Sequence, residues 1–274
     1  MLLALAAVGL GATPVGAPAL FTPEPSAPAA HGAPARQRPA GPLRIVAIGD
    51  SVPAGAACSG CTPFPYRYGE RFAAATGTPV SVQDLAVGGL DSAGLLASLV
   101  SATPQAAAVA TADVVLVTIG ANDLVPARPD YAAGQCGGPD DLDCFRTLLP
   151  GVRAHLAAAL ERIAVLRGHA PTTVLVTDYW NVFEDGASAV SELGRDAVDD
   201  ARTVTRAENQ VLCAAAAAAR ATCVDLYAPF LGPTGDRDPT RLLAADGDHP
   251  SQAGHDLIAA TLLAAYPCRP SGCA

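Results

Sequence analysis

The chain has 274 residues, 50% of them apolar, enough to bury the core of a single domain. Its 26 acidic against 17 basic residues leave a net charge of -9, so a nucleic-acid backbone or an anionic membrane surface is repelled on average and is not expected as a partner. Every basic residue is Arg, and a chain without Lys cannot form a Schiff base, a phosphate-binding-loop lysine or a Ser-Lys dyad.

Met1 to Leu10 are apolar and small, and Ala-Pro-Ala at Ala27 to Ala29 or Ala33 to Ala35 offers a signal-peptidase site. Export, and so a secreted protein, is predicted, although the positive stretch that usually opens such a leader is missing. Pro14 and Pro18 interrupt the apolar segment, and no stretch reaches membrane-spanning length. Residues 1–42 read as a leader and a Pro/Ala-rich disordered linker, which leaves the folded domain to residues 43–274.

From Leu43 onward, short β-rich runs alternate with longer helical patterns. Leu43 to Ile48 is the first predicted strand and leads into Gly49-Asp50-Ser51. A helix around Tyr66 to Thr76 follows, then a strand over Val80 to Leu85, the pair Gly88-Gly89, and a helix from about Ser92. Asp113 to Ile119 is the most β-rich run of the chain and ends in Gly120-Ala-Asn122-Asp123. A long loop, Pro126 to Asp143, precedes a helix predicted from Phe145 to Arg167. The strand Thr173 to Thr177 delivers Asp178-Tyr179-Trp180-Asn-Val-Phe183. A helix is predicted from Ser191 to Ala219, a strand over Thr222 to Leu226, and a second long loop over Leu231 to Pro250. That loop carries Asp246-Gly-Asp248-His249 and gives way to a closing helix, Ser251 to Ala265. Such alternation predicts an α/β fold, with a mainly parallel sheet covered by helices on both faces.

The chemistry lies at the strand ends. A serine at a sharp turn after a buried strand suits a nucleophile, and Ser51 is placed so; the plainer reading is a turn-capping serine. The motif is not the Gly-x-Ser-x-Gly elbow, because Pro53 occupies the last glycine's place. A serine hydroxyl needs a base, and His249 offers one, with Asp246 three residues away to orient its ring. An oxyanion needs donors: the Asn122 side chain and the backbone N–H of Gly89 follow two other strands. In an open parallel sheet the carboxyl ends of the strands share one edge, so these positions converge. The alternative reading of Asp246 and Asp248 with Asp236 and Asp238 is a calcium site, but the regular spacing of a calcium loop is missing. Tyr179, Trp180 and Phe183 reach the same rim and either wall a substrate pocket or pack a helix on the sheet.

Eight cysteines in an exported chain argue for disulfides, and proximity pairs Cys58 with Cys61, Cys136 with Cys144, Cys213 with Cys223 and Cys268 with Cys273. Read as a redox or zinc motif, Cys58-Ser-Gly-Cys61 lacks a second ligand pair and a thioredoxin-like context. The loop between Cys136 and Cys144 is placed to overhang the site as a rim or lid.

These four blocks together resemble the SGNH hydrolase superfamily, also called the GDSL esterase/lipase family, in its exported bacterial form. Ser51 stands in Gly-Asp-Ser, Gly89 in the second block, Asn122 in Gly-x-Asn-Asp and His249 in Asp-x-x-His. The resemblance implies a three-layer α/β/α sandwich with a flavodoxin-like sheet. It also implies Ser51 as nucleophile, His249 as base, Asp246 as its support, and an oxyanion hole of the Ser51 and Gly89 N–H groups with the Asn122 side chain. Val52 stands where the family name has Leu, and Asp84 where many members have Asn, which leaves Gly88 beside Gly89 as a donor. The expected activity is metal-independent, cofactor-free hydrolysis of short-chain or lipid esters by a monomer, or deacetylation of a polysaccharide. A non-catalytic carbohydrate- or lipid-binding module, and a metallo-phosphoesterase using Asp50, Asp123, Asp246 and His249, are the rival readings.

Overall fold

The computed structural model describes residues 41–267. The leader and nearly all of the linker, and the Cys268–Cys273 pair, lie outside the described residues.

Five strands form one all-parallel sheet in the order β2-β1-β3-β4-β5: β1 (Leu43–Gly49), β2 (Val80–Asp84), β3 (Val114–Thr118), β4 (Thr173–Thr177) and β5 (Thr222–Val224). The helices are α1 (Phe64–Thr76), α2 (Ser92–Val100), α3 (Pro104–Val109), α4 (Ala121–Leu124), α5 (Arg128–Ala132), α6 (Asp143–Arg146), α7 (Leu149–Leu166), α8 (Gly186–Leu193), α9 (Arg195–Ala218), α10 (Tyr227–Leu231) and α11 (Gln252–Ala265). The helices α1 and α11 pack together, as do α2, α7 and α9, and the sheet lies between the two sets. This is the expected α/β/α sandwich.

Burial explains the strand sequences. Every residue of β3 is buried, as is β1 from Ile45 onward, because helices cover both faces of a parallel sheet. The edge strand β2 instead alternates, with Ser81 and Gln83 exposed. Gly49 ends β1 at φ 135, where a side chain would collide with the Thr118 carbonyl of β3, so only glycine lets the two central strands stay paired up to the site.

Three expectations need correction. The helix predicted from Ser191 is two helices, α8 and α9, broken at Gly194 (φ 88), with Asp185 capping α8 through the Gly186 N–H. The helix predicted from Phe145 is also interrupted: α6 ends at Arg146 and α7 starts at Leu149, with Pro150 in its first turn. The loop read over Pro126 to Asp143 contains α5.

Among the described residues, three disulfides join Cys58 to Cys61, Cys136 to Cys144 and Cys213 to Cys223. The last ties α9 to β5, while Cys136–Cys144 closes the loop that leads into α6. No helix among the described residues is long and apolar enough to cross a membrane.

Candidate active site

The order β2-β1-β3-β4-β5 reverses direction between β1 and β3, and a crevice opens at the carboxyl ends of strands at such a switch point. Ser51 follows β1 and Asn122 follows β3, so both stand at that crevice. The turn after β1 is built locally: Asp50 accepts from the Val52 N–H at 3.0 Å, and the Ala56 N–H donates to the Ser51 carbonyl at 3.1 Å.

His249 arrives from the loop before α11. That loop is pinned by the Ala244 N–H on the His249 carbonyl at 2.7 Å, by a bridge between Leu243 and Pro250, and by the Asp185 N–H on the Gly247 carbonyl at 2.7 Å. Helix α11 then grips the segment behind Ser51. Its Gln252 side chain accepts from the Thr62 N–H at 2.8 Å, and His255 Nδ1 accepts from the Phe64 N–H at 3.2 Å. His255 is fully buried and burial pushes it down to about 4, so it stays neutral and serves as a packing acceptor.

The two loops meet. His249 Nε2 lies 2.8 Å from Ser51 Oγ, and His249 Nδ1 lies 2.7 Å from Asp246 Oδ2. The other Asp246 oxygen accepts from the Asp248 and His249 N–H groups, both at 3.1 Å. Partial burial pushes the Asp246 carboxyl up, but the hydrogen bonds from His249 and the two amides outweigh it and hold the group below the usual carboxylate range. An ionised Asp246 leaves Nδ1 protonated and Nε2 free to accept the serine proton. Asp248 Oδ2 stands 3.7 Å from the same Nδ1.

The Asn122 side chain donates to the Leu90 carbonyl at 2.9 Å, which ties it to the Gly88-Gly89 turn and leaves its second N–H for the cleft. A bracket behind it holds Asp123: the Ser92 N–H and hydroxyl donate to it at 2.8 and 2.5 Å, and His155 Nδ1 lies 3.1 Å from the same hydroxyl. Ser92 is fully buried, so this second Ser-His-Asp grouping is a brace. Of the two glycines, a Cβ built on Gly88 would sit 3.9 Å from that of Ser51, while Gly89 (φ 78) faces open space.

Tyr179, Trp180 and Phe183 border the cleft together with Ser51, Asn122 and His249. The first two are almost wholly buried: the Tyr179 hydroxyl donates to Asp50, and the Trp180 ring stacks on Phe230 at 4.3 Å. Asp50 and Asp123 are engaged by Tyr179 and Ser92. Among the described residues no set of three or more His, Cys, Asp or Glu side chains is arranged to hold a metal ion.

Sequence reasoning did not single out Arg128, which borders the cleft, caps the Phe183 ring at 5.0 Å and pairs with Glu184 at 3.0 Å. Nor did it find Glu208, whose carboxyl lies buried against Gly120 without a hydrogen-bond partner. Position in the loop after Asn122 was the available signal for Arg128. Nothing local marks Glu208.

A family model described as the GDSL-like lipase/acylhydrolase family matches residues 47–257. Among solved structures, the lipase Lip_vut3 from a goat rumen metagenome superposes with a TM-score of 0.68 at 23% identity, over 83% of this chain and 99% of that one. A phospholipase A1 from Streptomyces albidoflavus gives 0.60 at 18%, over 82% and 100%. A variant of an acetyl-xylooligosaccharide esterase from Geobacillus gives 0.58 at 17%, over 83% and 95%. At these identities the likeness is one of fold. A search of curated protein sequences found no match.

Proposed function

Because the chain belongs to the GDSL-like lipase/acylhydrolase family and is a carboxylic-ester hydrolase, we propose that it works through an acyl-enzyme on Ser51. Ser51 Oγ attacks the ester carbonyl carbon while His249 Nε2 takes its proton, and the carbonyl π electrons move onto oxygen. The backbone N–H groups of Ser51 and Gly89 and the Asn122 amide face that oxyanion. When the intermediate collapses, the bond to the alcohol oxygen breaks and His249 returns the proton to it. Water then repeats the sequence against the acyl-serine, with His249 as base, and releases the acid. Throughout, Asp246 holds the ring in the tautomer that accepts at Nε2 and stabilises the imidazolium.

The observation that carries this reading is the continuous chain from Ser51 Oγ through His249 to Asp246, at 2.8 and 2.7 Å. The substrates are short-chain or lipid esters, and the same chemistry would serve an acetylated glycan. Secretion is part of the proposal and is supported by the three disulfides. Ser51→Ala, assayed on p-nitrophenyl esters, should lose turnover by at least about a thousandfold with its circular dichroism unchanged. Turnover near the wild-type rate would overturn the assignment.

A further inference from the structure

Next to the cleft lies a second hollow with a cavity volume of about 220 Å³. Its walls are Tyr131, Leu142, Phe145 and Phe183, and its floor is the Ala201 and Val204 face of α9. The rings form a continuous ladder: Phe183 to Phe145 at 5.4 Å and Phe145 to Tyr131 at 5.6 Å. The Cys136–Cys144 disulfide closes the loop that carries Leu142 and leads to Phe145, so this wall is fixed in place.

The hollow and the cleft share Arg128 and Phe183. Arg128 lies over the junction, with its guanidinium on the Phe183 ring at 5.0 Å and held by both Glu184 oxygens at 3.0 and 3.2 Å. The polar groups on the rim are already engaged, Arg128 with Glu184 and Asp200 with the Tyr131 hydroxyl at 2.6 Å. What remains for an occupant is aromatic and aliphatic carbon, joined to the cleft through the shared Phe183 and Arg128.

We infer that this groove receives the acyl chain of the ester, which enters beside Phe183 beneath Arg128 and runs along the ring ladder toward Tyr131. The inference rests on the reading of Ser51 as nucleophile and names the substrate class: esters of medium-length fatty acids in preference to acetates. An acetyl group is too short to reach the ladder, whereas an octanoyl chain lies along it and removes its methylenes from water.

The test is kcat/KM for p-nitrophenyl acetate and octanoate on the full-length enzyme, together with Ala197→Trp and Ala132→Trp. Both alanines line the groove, Ala197 partly exposed and Ala132 exposed, so a bulky ring there narrows the groove without entering the core. Wild type should favour octanoate by about tenfold or more, and each variant should cut that ratio by about fivefold or more. A wild-type ratio near one, or a ratio unchanged in both variants, would overturn the assignment of the groove. Failure of the underlying reading looks different: wild-type enzyme that turns over neither ester and takes up no fluorophosphonate at Ser51.

Discussion

The Tyr179 hydroxyl donates to the Asp50 carboxylate, whose other oxygen accepts from the Val52 N–H at 3.0 Å, so a buried phenol braces the turn that presents Ser51. Both side chains are 1% exposed. Burial pushes Asp50 up to about 7 against the opposing pull of the Tyr179 and Val52 hydrogen bonds. Tyr179→Phe leaves the carboxyl without that donor and should lower stability by about 1–3 kcal/mol, read from urea denaturation. A change under about 0.5 kcal/mol would show that the hydroxyl does not hold the turn.

Glu208 sets a pH dependence. Its carboxyl is pushed well above the ordinary value by burial, with the nearby Asp123 and Asp50 carboxylates adding to the effect. Glu208 and Asp50 therefore keep protons in the folded state that the unfolded chain releases above the ordinary values of 4.5 and 3.8. The contribution of such groups is complete below the unfolded values and is lost as pH rises through the folded ones. The protein should accordingly be more stable near pH 5 than near pH 8, and Glu208→Gln, which cannot titrate, should flatten the difference. A wild-type difference that persists unchanged in the variant would assign it elsewhere.

Two carboxylates face His249 Nδ1, Asp246 at 2.7 Å and Asp248 at 3.7 Å. Removing Asp246 leaves a second acceptor within a side-chain rotation. Asp246→Ala should thus lose only about 10²–10³-fold in kcat, while the double Asp246→Ala, Asp248→Ala enzyme should fall toward the level of Ser51→Ala. A double variant no slower than the single one would remove Asp248 from consideration.

In the proposed mechanism Asn122 offers its remaining amide N–H to charge that develops on the carbonyl oxygen. Asn122→Ala should lose about 10²–10³-fold in kcat with little change in KM, since the contact strengthens as the oxyanion forms. Loss confined to KM would place Asn122 in ground-state binding.

The parts of the candidate site legible in the sequence are those marked by neighbours along the chain. Ser51, Gly89 and Asn122 each come just past a run of apolar residues, and Asp246 and His249 are three residues apart, so strand ends and short spacings single them out as candidates. Gly49 and Gly120 could be seen as punctuation but not explained, because the Thr118 carbonyl and the Glu208 carboxyl that forbid a side chain come from distant segments. The same holds for the Tyr179–Asp50 pair, 129 positions apart. Helix α5 is too short to show a periodic apolar face, so Pro126 to Asp143 reads as loop, and the short α6 merges into the helical pattern that begins at Phe145. The groove exists only where those two helices meet α9. A long helical pattern also hides a break: Gly194 separates two segments that share one periodicity.

Intact-protein and peptide mass spectrometry after treatment with a fluorophosphonate tests the site at the atom where the chemistry is assigned. The expected result is one phosphonyl group per chain, on the peptide containing Ser51, formed far more slowly when His249 is replaced by Ala. An unmodified chain, or an adduct on another serine such as the buried Ser92 beside His155 and Asp123, would contradict it.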